Sequence, residues 1–475
     1  MSDTTLLTEE SALLERVQAP EGTGREIPDA ATREIIGRAP EETAADAQAA
    51  IARAKAAQPG WDALGEAKRV ELLLKAADAI DANAEALARL LSREQGKPLN
   101  GPGARFEVGA CSAWLRATAM APFEPEVIVD DGTTKAVLHY RPVGVVAAIG
   151  PWNWPLVIGV WQFAPALRVG DTVVVKPSEY TPLSVLALLS VINEVLPPDV
   201  LIGVSGGRDV GAVLASHPDV DKVMFTGSTA TGRKIIESSA GNLARLTLEL
   251  GGNDPAIVLP GSDPAAIAEG IFFGAFGNSG QTCTAIKRLY VHDSIYEDVV
   301  QALAGYAAAV PMGVGLEEES ILGPVQNKAQ FDIVSGMVED AKARGGRVVA
   351  GGSPATDLGE LFYPVTLVAD VTDGIPLVDE EQFGPALPVI RYSDVEDVIA
   401  RANALETGLA ASVWGPDRDE AAVIASRIEA GTVWINGHGG VHPLVPFGGV
   451  KGSGYGLEFG VEGLKSVSVP QVIYG

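Results

Sequence analysis

Cys283 stands in the run FGNSGQTCTA, among small and polar residues. A thiol there has backbone N–H donors close by and little negative charge, conditions that favour a thiolate nucleophile. The competing reading of any lone cysteine is a buried, inert thiol. Cys111, in the apolar run GACSAWL, is read that way. Glu249 is the single acid in LTLELGG, an apolar run that stops at two glycines. Burial would raise its pKa towards the working pH, which suits a general base; an acid facing solvent at a strand end would have no such role. Asn153 lies in PWNWPL, between two tryptophans and two prolines. So stiff a turn fixes a side-chain amide that can donate to a developing oxyanion, unless it is simply an aromatic core turn.

A fourth segment, FTGSTATGRKI, sets Gly227 and Gly232 five apart directly after an apolar run. If a strand leads into a helix there, N–H groups and the helix dipole are aimed at a phosphate. A glycine-rich turn without a ligand fits the same letters. The G-x-G-x-x-G dinucleotide fingerprint is absent. His438 and His442 are four apart, a spacing that zinc ligands adopt on a helix. Gly439 and Gly440 argue against a helix between them, so no metal is expected. GVSGG (203–207) matches the G-x-S-x-G of serine hydrolases, but no histidine partner is indicated.

These segments need a scaffold. Residues 41–57 follow Pro40 and are Ala-rich, and 66–82 repeat apolar residues at helical spacing, so both are expected as helices, with a third ending before Gly96. The stretch from about 125 reads as strand, turn and strand around Asp131-Gly132. Short apolar strands then alternate with helical stretches at 144–149, 172–176, 201–204 and 222–226. A second alternation runs through 255–259, 288–292, 347–350, 387–391 and 410–414. Strands alternating with helices imply parallel βαβ units, here in two α/β halves joined near residue 250.

Composition limits what the protein can do. At 475 residues, two or three domains are expected. The net charge of −26 opposes nucleic acid and anionic membranes, so neither is an expected partner. Two cysteines make no disulfide framework and suit a reducing compartment. The N-terminal segment carries acids and no long apolar run, and nothing reaches the length of a membrane span, so a cytoplasmic protein is expected.

From about residue 30 onward the chain resembles the aldehyde dehydrogenase superfamily. PWNWPL, KPSEYTP, FTGST, LELGG, NSGQTC, EEQFGP and PFGGVKGSG occur in that family's order and approximate spacing. Within it, the chain is most similar to bacterial members that act on uncharged aldehydes. The resemblance implies an α/β, aldehyde dehydrogenase-like fold with two Rossmann-like open-sheet domains and a small β oligomerisation arm. It places an NAD-binding domain at 1–123 and 143–252 with 453–465, a catalytic domain at 253–452, and the arm at 124–142 and 466–475. A homodimer or homotetramer would follow.

The same resemblance assigns residues. Cys283 would be the nucleophile that forms a thioester, Asn153 the oxyanion donor together with the Cys283 N–H, and Glu249 the base that activates water. Lys176 and Glu179 would hold the adenosine ribose, and Glu179 would favour NAD over NADP by repelling a 2′-phosphate. Trp152, Gly227, Ser228 and Gly232 would stand at the pyrophosphate. Leu250, Gly251, Glu381 and Phe383 would border the nicotinamide end. Trp154, Ile158, Trp161, Thr282, Thr284, His438, Val441 and Phe447 would line the substrate channel. Their mostly apolar character suits a medium-sized, uncharged aliphatic or aromatic aldehyde. A CoA-acylating enzyme is one alternative, disfavoured because such relatives generally lack the acid at Glu249. A non-catalytic NAD-binding relative is another. Where the family often has Arg-Glu after PFGGVKGSGYG, this chain has Leu457-Glu458. That departure is expected to lie away from the chemistry and to bear on subunit contacts.

Overall fold

Most of the apolar strands expected from the sequence are buried along nearly their whole length, the edge strand Arg347–Ala350 being half-buried, and alternate residues feed two different cores. The computed structural model describes residues 3–475, with side chains described from Glu9 on. In the strand Val145–Ile149, Val146 and Ala148 join one cluster, whereas Val145, Ala147 and Ile149 join another. In Asp254–Val258, Ile257 faces one cluster and Ala256 and Val258 the opposite one. A strand covered on both faces must be apolar throughout, and this is why these runs show no polar alternation.

Two open sheets result. In the first, the order is Gly454–Tyr455, Arg245–Glu249, Lys222–Thr226, Val145–Ile149, Thr172–Lys176 and Leu201–Gly203. All neighbours are parallel except the short edge strand Gly454–Tyr455. The chain begins at Val145–Ile149, builds outward on one side, then returns to the other side with Lys222–Thr226. The crevice of an open sheet forms at such a reversal, at the carboxyl ends of the strands. The second sheet has seven strands, in the order Arg347–Ala350, Thr366–Val371, Ala386–Tyr392, Ile286–His292, Asp254–Val258, Ala410–Trp414 and Thr432–Ile435. Its one antiparallel pair is Arg347–Ala350 with Thr366–Val371. The strands Glu126–Asp130, Lys135–Pro142 and Ser468–Tyr474 make a separate antiparallel sheet. Its turn is held by Asp131, whose Oδ1 accepts from the N–H groups of Thr133 and Thr134, and Gly132 supplies a positive φ of 86°.

Some helix limits differ from expectation. The first Ala-rich helix starts later, at Ala44, because Thr43 and Asp46 form a capping box, and it continues through Pro59 to Ala63. A proline inside a helix costs about 3 kcal/mol. Here Trp61, two residues on, is buried and donates its indole N–H to the Leu167 carbonyl at 3.0 Å, a tertiary anchor that offsets the cost. The helix Ala104–Met120 and the strands Thr366–Val371 and Thr432–Ile435 add to the elements expected from the sequence. Among the described residues, no helix is long and apolar enough to cross a membrane.

Candidate active site

Four of the chemistry-bearing segments sit at the carboxyl ends of neighbouring strands in the first sheet. The turn holding Asn153 follows Val145–Ile149, Lys176 ends Thr172–Lys176, Gly227 follows Lys222–Thr226, and Glu249 ends Arg245–Glu249. A cleft of about 1000 Å³ opens there. Its wall includes Asn153, Glu249 and Cys283, together with Trp152, Lys176, Glu179, Gly227, Ser228, Leu250, Gly251, Glu381 and Phe383. Gly232 is not on that wall. It is buried in the helix Thr229–Ser239, and a Cβ there would lie 2.7 Å from the Leu250 side chain, so its glycine serves helix–strand packing.

The Cys283 loop is unusual in its backbone. Asn278, Ser279 and Gly280 all have positive φ, at 54°, 54° and 71°. For non-glycine residues this conformation costs on the order of 1–3 kcal/mol each. Side chains hold it in place. Asn278 Nδ2 donates to the Asn153 carbonyl at 2.9 Å, Asn153 Nδ2 donates to the Gln281 carbonyl at 2.9 Å, and Trp154 Nε1 donates to Thr282 Oγ1 at 2.9 Å. The amide of Asn153 has two N–H groups, so one bond to Gln281 leaves a second donor.

Electrostatics at the thiol differ from the sequence expectation. Burial, and after it the charges of Glu381, Asp254 and Glu249, push the Cys283 thiol up, against a smaller downward pull from the Thr284 backbone N–H. The small, polar run around Cys283 gives no hint of these acids, which come from two other stretches of the chain, 249–254 and the segment at Glu381. The thiol form is therefore favoured over the thiolate. Glu249 follows expectation. It is buried, burial raises its carboxyl well above the usual range, and the neighbouring Glu458 raises it further. Both of its carboxyl oxygens lack a hydrogen-bond partner among the described residues. Glu381 is raised by burial and pulled back by Lys287, whose own ammonium burial disfavours.

Glu458 corrects a second expectation. It is buried near Glu249, and a Cβ on Gly448 would lie 3.3 Å from Glu249 Oε1 and 3.0 Å from the Leu457 side chain. Leu457-Glu458 thus borders the chemistry. The edge strand Gly454–Tyr455 pairs with Leu248 and Glu249, and this folds the C-terminal segment back beside Glu249. Linear distance in the sequence concealed that return.

The expected substrate-channel residues divide into groups. Trp161, Val441 and Phe447 pack with Cys283 around Leu409 and Phe459, and Trp114 joins them. Trp161 meets Phe459 at 4.8 Å and Trp114 at 5.7 Å between ring centroids. Trp154 and Thr282 are joined by their hydrogen bond, and Thr284 is buried beside Cys283. Ile158 is instead buried in the main core. His438 Nδ1 meets Ser412 Oγ at 2.9 Å and Nε2 meets the Thr284 carbonyl at 2.7 Å. Burial pushes its pKa down to about 4, so it is neutral and braces the cysteine loop with both ring nitrogens engaged. In GVSGG, the Ser205 backbone is tied to Glu42 through both its N–H and its carbonyl, which makes that turn a structural anchor.

A family model described as the aldehyde dehydrogenase family matches residues 17–473. The chain belongs to the aldehyde dehydrogenase family. It is an enzyme acting on the aldehyde group. It is 40% identical over 453 residues to a phenylacetaldehyde dehydrogenase of Pseudomonas fluorescens, covering 92% of this chain and 89% of that one. It is 38% identical over 447 residues to the aldehyde dehydrogenase LUC3 of a Fusarium species, covering 94% of each. Among solved structures, an NAD+ complex of a Bacillus cereus aldehyde dehydrogenase superposes with a TM-score of 0.94 at 35% identity, covering all of this chain and 99% of that one. Within this aldehyde dehydrogenase, sequence reasoning missed Lys97, Glu107, Trp114, Asn278, Gln281, Lys287 and Phe459. Lys97 lay between Gly96 and Pro98 in EQGKP, a turn signal whose partner in space no local pattern gives.

Proposed function

We propose that this enzyme oxidises an uncharged, medium-sized aliphatic or aromatic aldehyde to its acid with NAD, through an acyl thioester on Cys283. The observation that carries the reading is the meeting of Asn153, Glu249 and Cys283, from three distant segments, on one cleft. The cleft suits a dinucleotide. Ser228 caps the helix Thr229–Ser239 at its wall, Glu179 and Lys176 stand at the neighbouring strand end, and Gly251 leaves room beside Glu381, whose Oε2 would lie 2.3 Å from an added Cβ. Bound NAD supplies the hydride acceptor that the oxidation requires. The Cys283 thiol gives its proton to water in the cleft as the sulfur adds to the aldehyde carbon; loss of that carbon's hydrogen as hydride, which NAD would accept when bound, then leaves the thioester. The free N–H of Asn153 and the Cys283 backbone N–H hold the oxygen that gains charge. Glu249, once ionised, takes a proton from the water that cleaves the thioester, and the acid leaves. With an acid in that place, water rather than CoA is the acyl acceptor.

The aromatic group of Trp114, Trp161, Phe447 and Phe459 beside Cys283 supports an apolar substrate. Domain roles follow the two sheets: NAD binding by 1–123, 143–252 and 453–465, catalysis by 253–452. The small sheet from 124–142 and 466–475 leaves Val127, Ile128, Ile473 and Tyr474 exposed. Bare, apolar edge strands pair with other chains, so we assign it to assembly of a homodimer or homotetramer. A monomer by light scattering would contradict that. Two free cysteines suit a reducing, cytoplasmic setting.

The direct test follows NADH formation at 340 nm across aliphatic, aromatic, semialdehyde and betaine aldehydes, with NADP and CoA in parallel. Turnover with NAD alone on an apolar aldehyde is expected, and turnover only with CoA present would overturn the hydrolytic reading. Glu179→Gln is expected to raise kcat/KM with NADP relative to NAD by about tenfold, since one repelled charge is worth roughly 1–2 kcal/mol near a surface. An unchanged ratio would remove Glu179 from cofactor choice.

A further inference from the structure

Behind the cleft lies a charge pair that takes no part in the scheme above. Lys97 and Glu107 are fully buried and ion-paired with each other. Burying two charges is costly, and such a pair seldom exists for stability alone. The remaining hydrogen bonds of the two side chains lead to the turn that carries Asn153. Lys97 Nζ donates to the Asn153 carbonyl at 2.8 Å and stands 3.5 Å from the centroid of the Trp154 ring. Glu107 Oε1 accepts from the N–H groups of Leu156 and Val157, at 2.8 and 3.2 Å, in the first turn of the helix Pro155–Val169. The two charges therefore grip the chain from the Asn153 carbonyl through the first turn of the helix that follows it. The same turn is bonded to the cysteine loop, through Asn278 to the Asn153 carbonyl, Asn153 to Gln281, and Trp154 to Thr282.

We infer that Lys97, held by Glu107, is a positioning residue that fixes the Asn153 amide relative to Cys283. The inference rests on the oxyanion role proposed for Asn153. Lys97 touches a backbone carbonyl and a ring rather than the reacting atoms. Its effect is on where the amide N–H points. A cation at the Asn153 carbonyl locks the peptide plane there, and the proline that starts the helix fixes the chain beyond it. A donor displaced by about 1 Å can cost on the order of 100-fold in rate.

The test uses the full-length enzyme with rates normalised to titrated Cys283. Lys97→Met leaves Glu107 buried and alone, so the double variant K97M/E107Q is made beside it; the glutamine oxygen can still accept from the helix N–H groups. Expected for the folded variant is a fall in kcat of about 10- to 100-fold, with the NAD dissociation constant unchanged and the loss confined to the NADH-forming step. Adding Asn153→Ala to K97M/E107Q should cost little more, because the amide is already misplaced. A kcat per titrated thiol equal to wild type, or losses that multiply independently with those of Asn153→Ala, would overturn the positioning role. Asn153→Ala at the wild-type rate would instead remove the oxyanion reading, and the inference with it.

Discussion

Cys283→Ala is expected to abolish aldehyde oxidation while NAD still binds. The loss should be at least about 1000-fold, the scale seen when a covalent nucleophile is removed and only binding and the oxyanion site remain. The substitution removes one sulfur from a half-buried position, and its main packing neighbours are Leu409, Phe447 and Phe459. Little stability should be lost, so circular dichroism and the melting temperature report an intact fold. Binding can be read from tryptophan fluorescence, because Trp152 is on the cleft wall, near Phe383 at 5.4 Å between centroids. Cys111 cannot substitute. It is buried in the helix Ala104–Met120, and burial together with Glu107 pushes its thiol far up. Turnover at the wild-type rate in Cys283→Ala would end the thiol assignment.

Glu249→Gln should separate the two halves of the reaction. With a glutamine in place of the base, one equivalent of NADH forms per thiol and turnover then stalls. A positioned general base contributes about 100- to 10,000-fold, and that loss should fall on thioester hydrolysis. The pH dependence has a definite sign. Burial first, then the charge of Glu458, raises the Glu249 carboxyl above its ordinary range. The ionised, active form therefore grows as pH rises, and hydrolysis should quicken with pH in the wild type and lose that limb in Glu249→Gln. Glu458→Gln removes the second cause and should shift the limb to lower pH. A Glu249→Gln enzyme with normal steady-state rates and an unaltered pH profile would take Glu249 out of the mechanism.

Much of this site was legible in the sequence because each functional residue sits in a short segment whose local form is dictated locally. PWNWPL is stiff through its prolines and rings, and LTLELGG is a buried strand that ends at an acid. FTGST is a strand opening into a capped helix. The parallel sheets were legible for a similar reason, since strands buried on both faces leave uninterrupted apolar runs such as 145–149. What the sequence hid was long-range. Lys97 and Glu107 are ten residues apart and meet Asn153 about fifty residues later in the chain. Glu458 reaches Glu249 only because the edge strand Gly454–Tyr455 folds back antiparallel. The raised thiol of Cys283 comes first from burial and then from acids distant in the chain or on neighbouring strands. The family resemblance placed His438 in the substrate channel, but its bonds to Ser412 and Thr284 make it a brace. Packing decided each of these outcomes, and no local spacing encodes it.

The central claim is a covalent acyl group on one sulfur. Glu249→Gln enzyme mixed with NAD and a good aldehyde substrate, quenched in acid within seconds and digested, should give a peptide containing Cys283 whose mass has increased by that of the acyl group. The gain should disappear when hydroxylamine is added and should be absent without NAD. An NADH burst with no mass gain on that peptide, or with the gain on any other residue, would contradict the account.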